Sequence, residues 1–419
     1  MEAVAMVPYS DELDWPEGLS PFETVDFEIQ KDPYAHYAWM REHAPVLRTR
    51  TATRDVWFIS RYEDVRAALR APKKFSSMVV TPPPLVFLTL FDAPEHARLR
   101  QVVASYFTPK AVLELEEKIL GFASGYLDEL ISAGGGDVVD EFALRITMAT
   151  ISSLLGIPAE DFDQMKKWSD DVSSFFGRLA RQAPGIDGDE AGANELFDYL
   201  LHHILTSDPE GNDSLAPRLA SLLAEGQLTE TEAKHFCAFL FVAGHETTTV
   251  LLGNAFRMFA EQPETLARLQ EHPEDTPKFI EEMVRFRGTV HRVSRRTVEP
   301  IEVAGVTIPA GEIVVLLTVS ANRDGQKFAN PDVFDIDRDA SAHLGFGHGI
   351  HSCLGQNLAR LEGGIAIRLI AQRIGEVSLD PNHPIQFVTG GNLANSGPSH
   401  IVASLTSRTG CPFHSEAGA

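Results

Sequence analysis

Cysteine is scarce in this chain, with three in 419 residues. That is too few for a disulfide framework and points to a reducing, cytoplasmic location. Basic residues are also short: 36 Lys and Arg face 59 Asp and Glu, for a formal net charge of -23. A chain of that sign is a poor global partner for nucleic acid or for an anionic membrane surface. Tyrosine is outnumbered by phenylalanine, 7 to 25, which favours dry apolar interior over wet aromatic surface. No unbroken apolar run approaches the roughly 20 residues of a bilayer span. The opening MEAVAMVPYSDELDWPEG lacks a basic segment followed by an apolar one, so no signal peptide is expected. There is no internal repeat and no long linker.

What remains is ordinary for a soluble globular protein, with 44% hydrophobic and 23% charged residues. Residues 1–30 read as an irregular lead-in. A short amphipathic helix follows (32–46), then strands at VLRTR and DVWFISR and a helix at YEDVRAALR. SSMVVTPPPLVFLTLF, residues 76–91, has no charge, and Pro82–Pro84 forbid a continuous helix there. Such an apolar loop is expected to line something. Residues 92–285 are mostly helical, with breaks at 132–137, 182–192 and 207–213. Short β-branched runs fill 288–320, and a helix ends near 374. A strand-rich segment follows, and about 406–419 read as a frayed tail. The expectation is a mainly α fold with small sheets, 1–419 forming one large domain.

HLGFGHGIHSCLGQNLAR, residues 343–360, sets Cys353 between a glycine-rich loop and a helix start. Unsatisfied N–H groups and the helix dipole there favour a thiolate. Three readings fit: a buried structural cysteine, a zinc site with His343, His348 and His351, or an axial thiolate to haem iron. A zinc site lacks a separated second ligand pair.

FCAFLFVAGHETTTVLLGNAFRMFA, residues 236–260, is apolar all round except at HETTT. A carboxylate and three threonines inside a buried helix cost free energy unless they have partners or a task. Ala243 and Gly244 take away bulk beside that patch, so a flat molecule could approach. Glu246 and Thr247 are read as a proton relay. Back-bonding to the helix is the competing reading for the threonines, Thr249 above all. Glu282 and Arg285 share a helical face, as do His96 and Arg100, while Arg295 begins a strand-like run.

Together these segments resemble the cytochrome P-450 family, soluble bacterial type. FGHGIHSCLG (346–355) fits its cysteine signature and AGHET (243–247) its oxygen-activation helix. Glu282 and Arg285 fit the E-x-x-R pair. ANRDGQKFANPDVFDIDR (321–338) fits the meander, and HARLR (96–100) the propionate-binding helix. The resemblance spans about residues 30–405. It implies a haem b (Fe-protoporphyrin IX) held between a long central helix and the Cys-loop helix, with Cys353 as the iron's axial ligand. His96, Arg100, Arg295 and His351 would bind the propionates. Ala243, Gly244, Thr248, Gly345, Phe346 and Gly355 would border the macrocycle. Glu246 and Thr247 would supply protons for oxygen activation, and Glu282, Arg285 and Arg338 would be structural.

The implied reaction inserts one oxygen atom from O2 into a small hydrophobic substrate. Phe87, Phe239, Val242, Ala243, Val290 and His291 would line the substrate pocket. The chain departs from the family where a proline before Val290 and a leucine-proline pair near the end are common, so substrate does not carry over from relatives. Electrons would come from a separate ferredoxin-type donor with its reductase, docked on a local basic patch of Arg98, Arg100, Lys110, Arg360, Arg368 and Arg373. A peroxide-driven enzyme would lack the acid–alcohol pair. A haem-binding sensor or carrier would need neither that pair nor a donor. The tail pair Cys411 and His414 reads as part of the frayed end.

Overall fold

Near-continuous apolar spacing builds a 32-residue helix, Glu230–Glu261, and the other elements are arranged about it. Thr229 starts it with a reciprocal cap: its Oγ1 accepts from Glu232 N at 3.2 Å, and its N–H donates to Glu232 Oε2 at 2.8 Å. This central helix is long and apolar enough to cross a bilayer, but most of it is buried inside the protein. It packs against Arg145–Leu155, against Gln356–Arg373 (the Cys-loop helix) and against Phe162–Arg181, here the cover helix.

The computed structural model describes residues 7–23, 26–50, 54–158, 161–181, 190–208, 214–388 and 396–408. The break expected at 182–192, most of that at 207–213, and Cys411 with His414 lie outside the described residues, wholly or largely.

The expected mainly α architecture holds. Beside the helices stands a five-stranded sheet in the order Val46–Arg50, Asp55–Ile59, Ile313–Leu316, Val293–Thr297, Phe75–Ser76. Its second and third strands are parallel and the other pairs antiparallel. The 76–91 loop contains only one short 3-10 turn, Leu88–Leu90, as its prolines require.

Two expectations change. The lead-in is not merely irregular: it includes a helix, Phe27–Lys31, and Phe22 is fully buried edge-on to Phe58 at 5.2 Å. Strand structure runs to Ser407, while residues 409–419 of the expected tail lie outside the described residues. Strand Val402–Ser407 pairs with Gly135–Asp137 on one side and Ile374–Leu379 on the other, which satisfies its backbone groups.

The E-x-x-R pair lies in helix Thr276–Phe286. Arg285 Nε and Nη2 donate to Glu282 Oε2 and Oε1, each at 2.7 Å. Arg338 Nε adds a third bond to Glu282 Oε1 at 3.2 Å. The remaining Arg285 donors reach the carbonyls of Asn322, Pro331 and Val333, so the meander is tied to the helix. A buried ion pair satisfied this fully specifies one loop geometry.

Candidate active site

Cys353 sits between the turn Gly349–His351 and the Cys-loop helix. Its N–H donates to Phe346 O at 2.8 Å, closing the loop on itself. Gly349 has φ +75°, and a Cβ there would stand 2.6 Å from Leu69 O, so glycine alone lets the loop rest on its neighbour. The thiol is half-buried on a cavity wall. Burial raises its pKa. The N–H groups of Gly355 and Gln356 and the Arg100 and Arg360 guanidiniums oppose that rise without reversing it. The helix starts three residues after Cys353, and desolvation outweighs its terminus, contrary to the expected lowering. A thiolate here needs a bound cation to offset its burial.

His96, Arg100, Arg295 and His351 converge on the same cavity. His351 Nε2 meets Ser77 Oγ at 2.8 Å, and its ring lies edge-on to His96 at 4.2 Å between centroids. His96 Nε2 is buried without a partner. Burial lowers Arg295 to about 10, still a cation at neutral pH. It pushes His351 down to about 3 and lowers His96 as well, helped by the neighbouring guanidiniums. The four expected propionate binders are therefore two cations and two neutral imidazoles.

On the central helix, Glu246 and Thr247 line the cavity, as do Ala243, Gly244 and Thr248. Thr247 Oγ1 donates back to Ala243 O at 3.0 Å, and Thr247 O accepts from Thr289 Oγ1 at 3.1 Å. Thr249 back-bonds to His245 O at 2.8 Å and meets Thr147 Oγ1 at 2.7 Å, so it belongs to the packing. Glu246 Oε1 accepts from Ser173 Oγ on the cover helix. A Cβ on Gly244 would stand 2.7 Å from Ile151, so this glycine admits the neighbouring helix rather than a flat ligand.

The cavity has a volume of about 870 Å³. Gly345, Phe346 and Gly355 border it beside Cys353, and Phe87, Phe239, Val242 and Val290 contribute apolar wall. Phe87 and Phe239 pack at 5.2 Å. His291 is not among the lining residues. It is buried, its ring 6.4 Å from Tyr34, and burial depresses its pKa to about 3. Its neighbour Arg292, just ahead of strand Val293–Thr297, lines the cavity instead.

A flat group with a soft-ligand metal and two carboxylate arms fits these walls. The thiol supplies the ligand, the two guanidiniums and the orphaned His96 nitrogen face the arms, and the volume suffices. Among the described residues no three His, Cys, Asp or Glu side chains are grouped to hold an ion, which disfavours zinc. His343 turns instead to Glu281, at 3.1 Å.

The expected basic patch is largely neutralised. Arg98 pairs with Glu95 and Glu232, Arg373 with Asp128, and Arg360 with Glu281 at 2.6 Å. Hydrogen bonds from His343 and Arg360 overcome burial and hold Glu281 at about 2. Lys110 and Arg368 enter no ion pair among the described residues.

Sequence reasoning missed Ser77, Ser173, Arg292 and Glu362. Glu362 was the most findable, a lone carboxylate in LEGGIAIRLI. It is buried on the cavity wall against the Thr150 and Thr248 hydroxyls, and desolvation pushes it up to about 8.

The family model described as Cytochrome P-450 matches residues 212–386. Vitamin D(3) 25-hydroxylase of Pseudonocardia autotrophica is 37% identical over 82% of this chain and 87% of its own length. Erythromycin C-12 hydroxylase of Saccharopolyspora erythraea is 35% identical over 86% of this chain and 94% of its own. Among solved structures, CYP109E1 from Bacillus megaterium in complex with testosterone superposes with a TM-score of 0.81 at 30% identity, covering 90% of this chain and 98% of that one.

Proposed function

This chain belongs to the cytochrome P-450 family and is a haem b monooxygenase of small hydrophobic molecules, and from that premise we propose which residues do the work. Cys353 would supply the sulfur ligand of the haem iron. Arg100 and Arg295 would hold the two propionates as cations, while His96 and His351 would donate ring N–H groups to them. When bound, haem supplies the iron at which dioxygen is activated and one oxygen atom is passed to the substrate.

Glu246 carries protons to the cavity. Thr247 has its own hydroxyl proton engaged on Ala243 O, so it presents lone pairs to the cavity and accepts a hydrogen bond there. That places a hydrogen-bond acceptor one residue from the Glu246 carboxylate. The apolar wall of Phe87, Phe239, Val242 and Val290 excludes water and seats the substrate.

One observation carries this reading: the thiol of Cys353, on the loop ahead of the Cys-loop helix, and the Glu246–Thr247 pair, on the central helix, line the same cavity. The similar proteins include a vitamin D(3) hydroxylase, an erythromycin hydroxylase and a structure in complex with testosterone, so large, mainly apolar ring systems are the substrate class to test. Electrons come from a separate ferredoxin-type donor with its reductase, docking near Lys110 and Arg368. A cytoplasmic location accords with the scarcity of cysteine.

Turnover under isotopically heavy dioxygen, with ferredoxin and reductase and a panel of sterols and macrolides, tests the function. The expected product gains one heavy oxygen atom, and reductant is consumed only when both donor proteins are present. A protein that binds haem yet never consumes reductant would be a carrier instead.

A further inference from the structure

We propose that Ser173, on the cover helix, is a positioning residue: its hydroxyl holds the Glu246 carboxylate toward the cavity and so ties the proton supply to the seating of that helix. The inference rests on Glu246 acting in proton delivery.

The contact is one half of a matched pair. Ser169 and Ser173 are four apart, so they share a face of helix Phe162–Arg181. They meet consecutive residues of the central helix, His245 and Glu246. Both Ser169 and His245 are buried. Burial keeps the His245 ring neutral, with its pKa near 4. Its Nδ1 lies 2.8 Å from Phe241 O, which can only accept, so the ring proton sits on Nδ1. Nε2 therefore accepts, and Ser169 Oγ, at 3.3 Å, donates to it. This bond is a dry structural latch.

The second bond differs in its surroundings. Ser173 and Glu246 both line the cavity, and both are partly exposed to it. Ser173 Oγ donates to Glu246 Oε1. A carboxylate on a flexible side chain has several rotamers, and a hydroxyl donor selects one of them. The selected rotamer keeps the carboxylate on the cavity wall that Thr247 also lines. Moving the cover helix away would break the bond and release the carboxylate, while the Ser169–His245 latch resists that movement. No new chemical step is added: the hydroxyl neither gains nor loses a proton overall.

The test uses holoenzyme with its donor proteins and compares Ser173→Ala, Ser173→Thr and Glu246→Gln. The readouts are product formed per reductant consumed, peroxide released, and the solvent deuterium isotope effect on turnover. Haem content and the carbonyl spectrum serve as folding controls. Ser173→Ala is expected to lower product per reductant about tenfold, the scale of one charge-assisted hydrogen bond at a general acid–base. Peroxide should rise and the isotope effect should change, while Ser173→Thr restores both. If Glu246→Gln shows the uncoupling and Ser173→Ala does not, the positioning role is overturned and the role of Glu246 stands. If Glu246→Gln itself changes neither coupling nor isotope effect, the proton role fails and this inference falls with it.

Discussion

Glu282 and Arg285 stand three residues apart on one helix, expose no side-chain surface, and are joined by two hydrogen bonds of 2.7 Å. Arg338 and the Asp335 N–H complete the carboxylate's partners, at 3.2 and 2.9 Å. Both members of the pair are removed from water, so it is costly to break. Glu282→Leu leaves the Arg285 guanidinium buried without its counter-charge. Denaturant unfolding should show a loss of about 3–5 kcal/mol. A loss below about 1 kcal/mol, the level of an exposed pair, would contradict this reading.

Glu362 governs a pH dependence. Desolvation raises its pKa from 4.5 to about 8. Below the ordinary value both the folded and unfolded chains hold the proton, and the group is neutral to stability. As pH rises through the window between the two values, the unfolded chain releases the proton and the folded chain keeps it. Stability therefore falls, by up to about 1.4 kcal/mol per pH unit. Glu362→Gln removes the titration. Its melting temperature should match the parent at pH values below the ordinary carboxyl range and exceed it increasingly up to pH ~8. A constant difference across that range would show that Glu362 is not held neutral.

Arg295 should govern cofactor retention. It is buried and remains a cation at neutral pH. Arg295→Ala strips one propionate of its charged partner in a closed site. Transfer of haem to an excess of apomyoglobin should accelerate by at least about tenfold, the scale of one charge-assisted contact. Unchanged transfer would place the propionates elsewhere.

Charge reversal separates docking from packing. Lys110→Glu should slow reduction by an acidic ferredoxin and weaken the salt dependence of that step, because an exposed charge acts through long-range attraction. Arg360→Glu should instead lower thermal stability, because Arg360 is bound to Glu281 at 2.6 and 3.0 Å and lies over the Phe346 ring at 4.4 Å. Equal slowing by both variants, with no loss of stability, would restore Arg360 to the docking surface.

The parts legible in the sequence were those fixed by local spacing. The cysteine loop, the acid–alcohol pair and the E-x-x-R pair each lie within a few residues, so their geometry follows from helix and turn periodicity. The illegible parts depend on which distant surfaces meet. Ser173 and Glu246 are 73 residues apart, and nothing local marks that serine. His291 and Arg292 lie in the irregular segment ahead of strand Val293–Thr297, where no periodicity tells which side chain faces the cavity. The basic patch was misread because Asp128, Glu281 and Glu232 come from other helices and cancel it. The Cys353 pKa was misjudged because the sequence reveals the helix terminus but not the depth of burial that outweighs it.

The central claim is that Cys353 is the sulfur ligand of a bound haem. The most direct measurement is the absorption spectrum of the dithionite-reduced protein under carbon monoxide, for the parent and for Cys353→His. The account predicts a strongly red-shifted Soret band in the parent and an ordinary carbonyl band in the variant. An ordinary band in the parent, or a red-shifted band that survives in the variant, would contradict it.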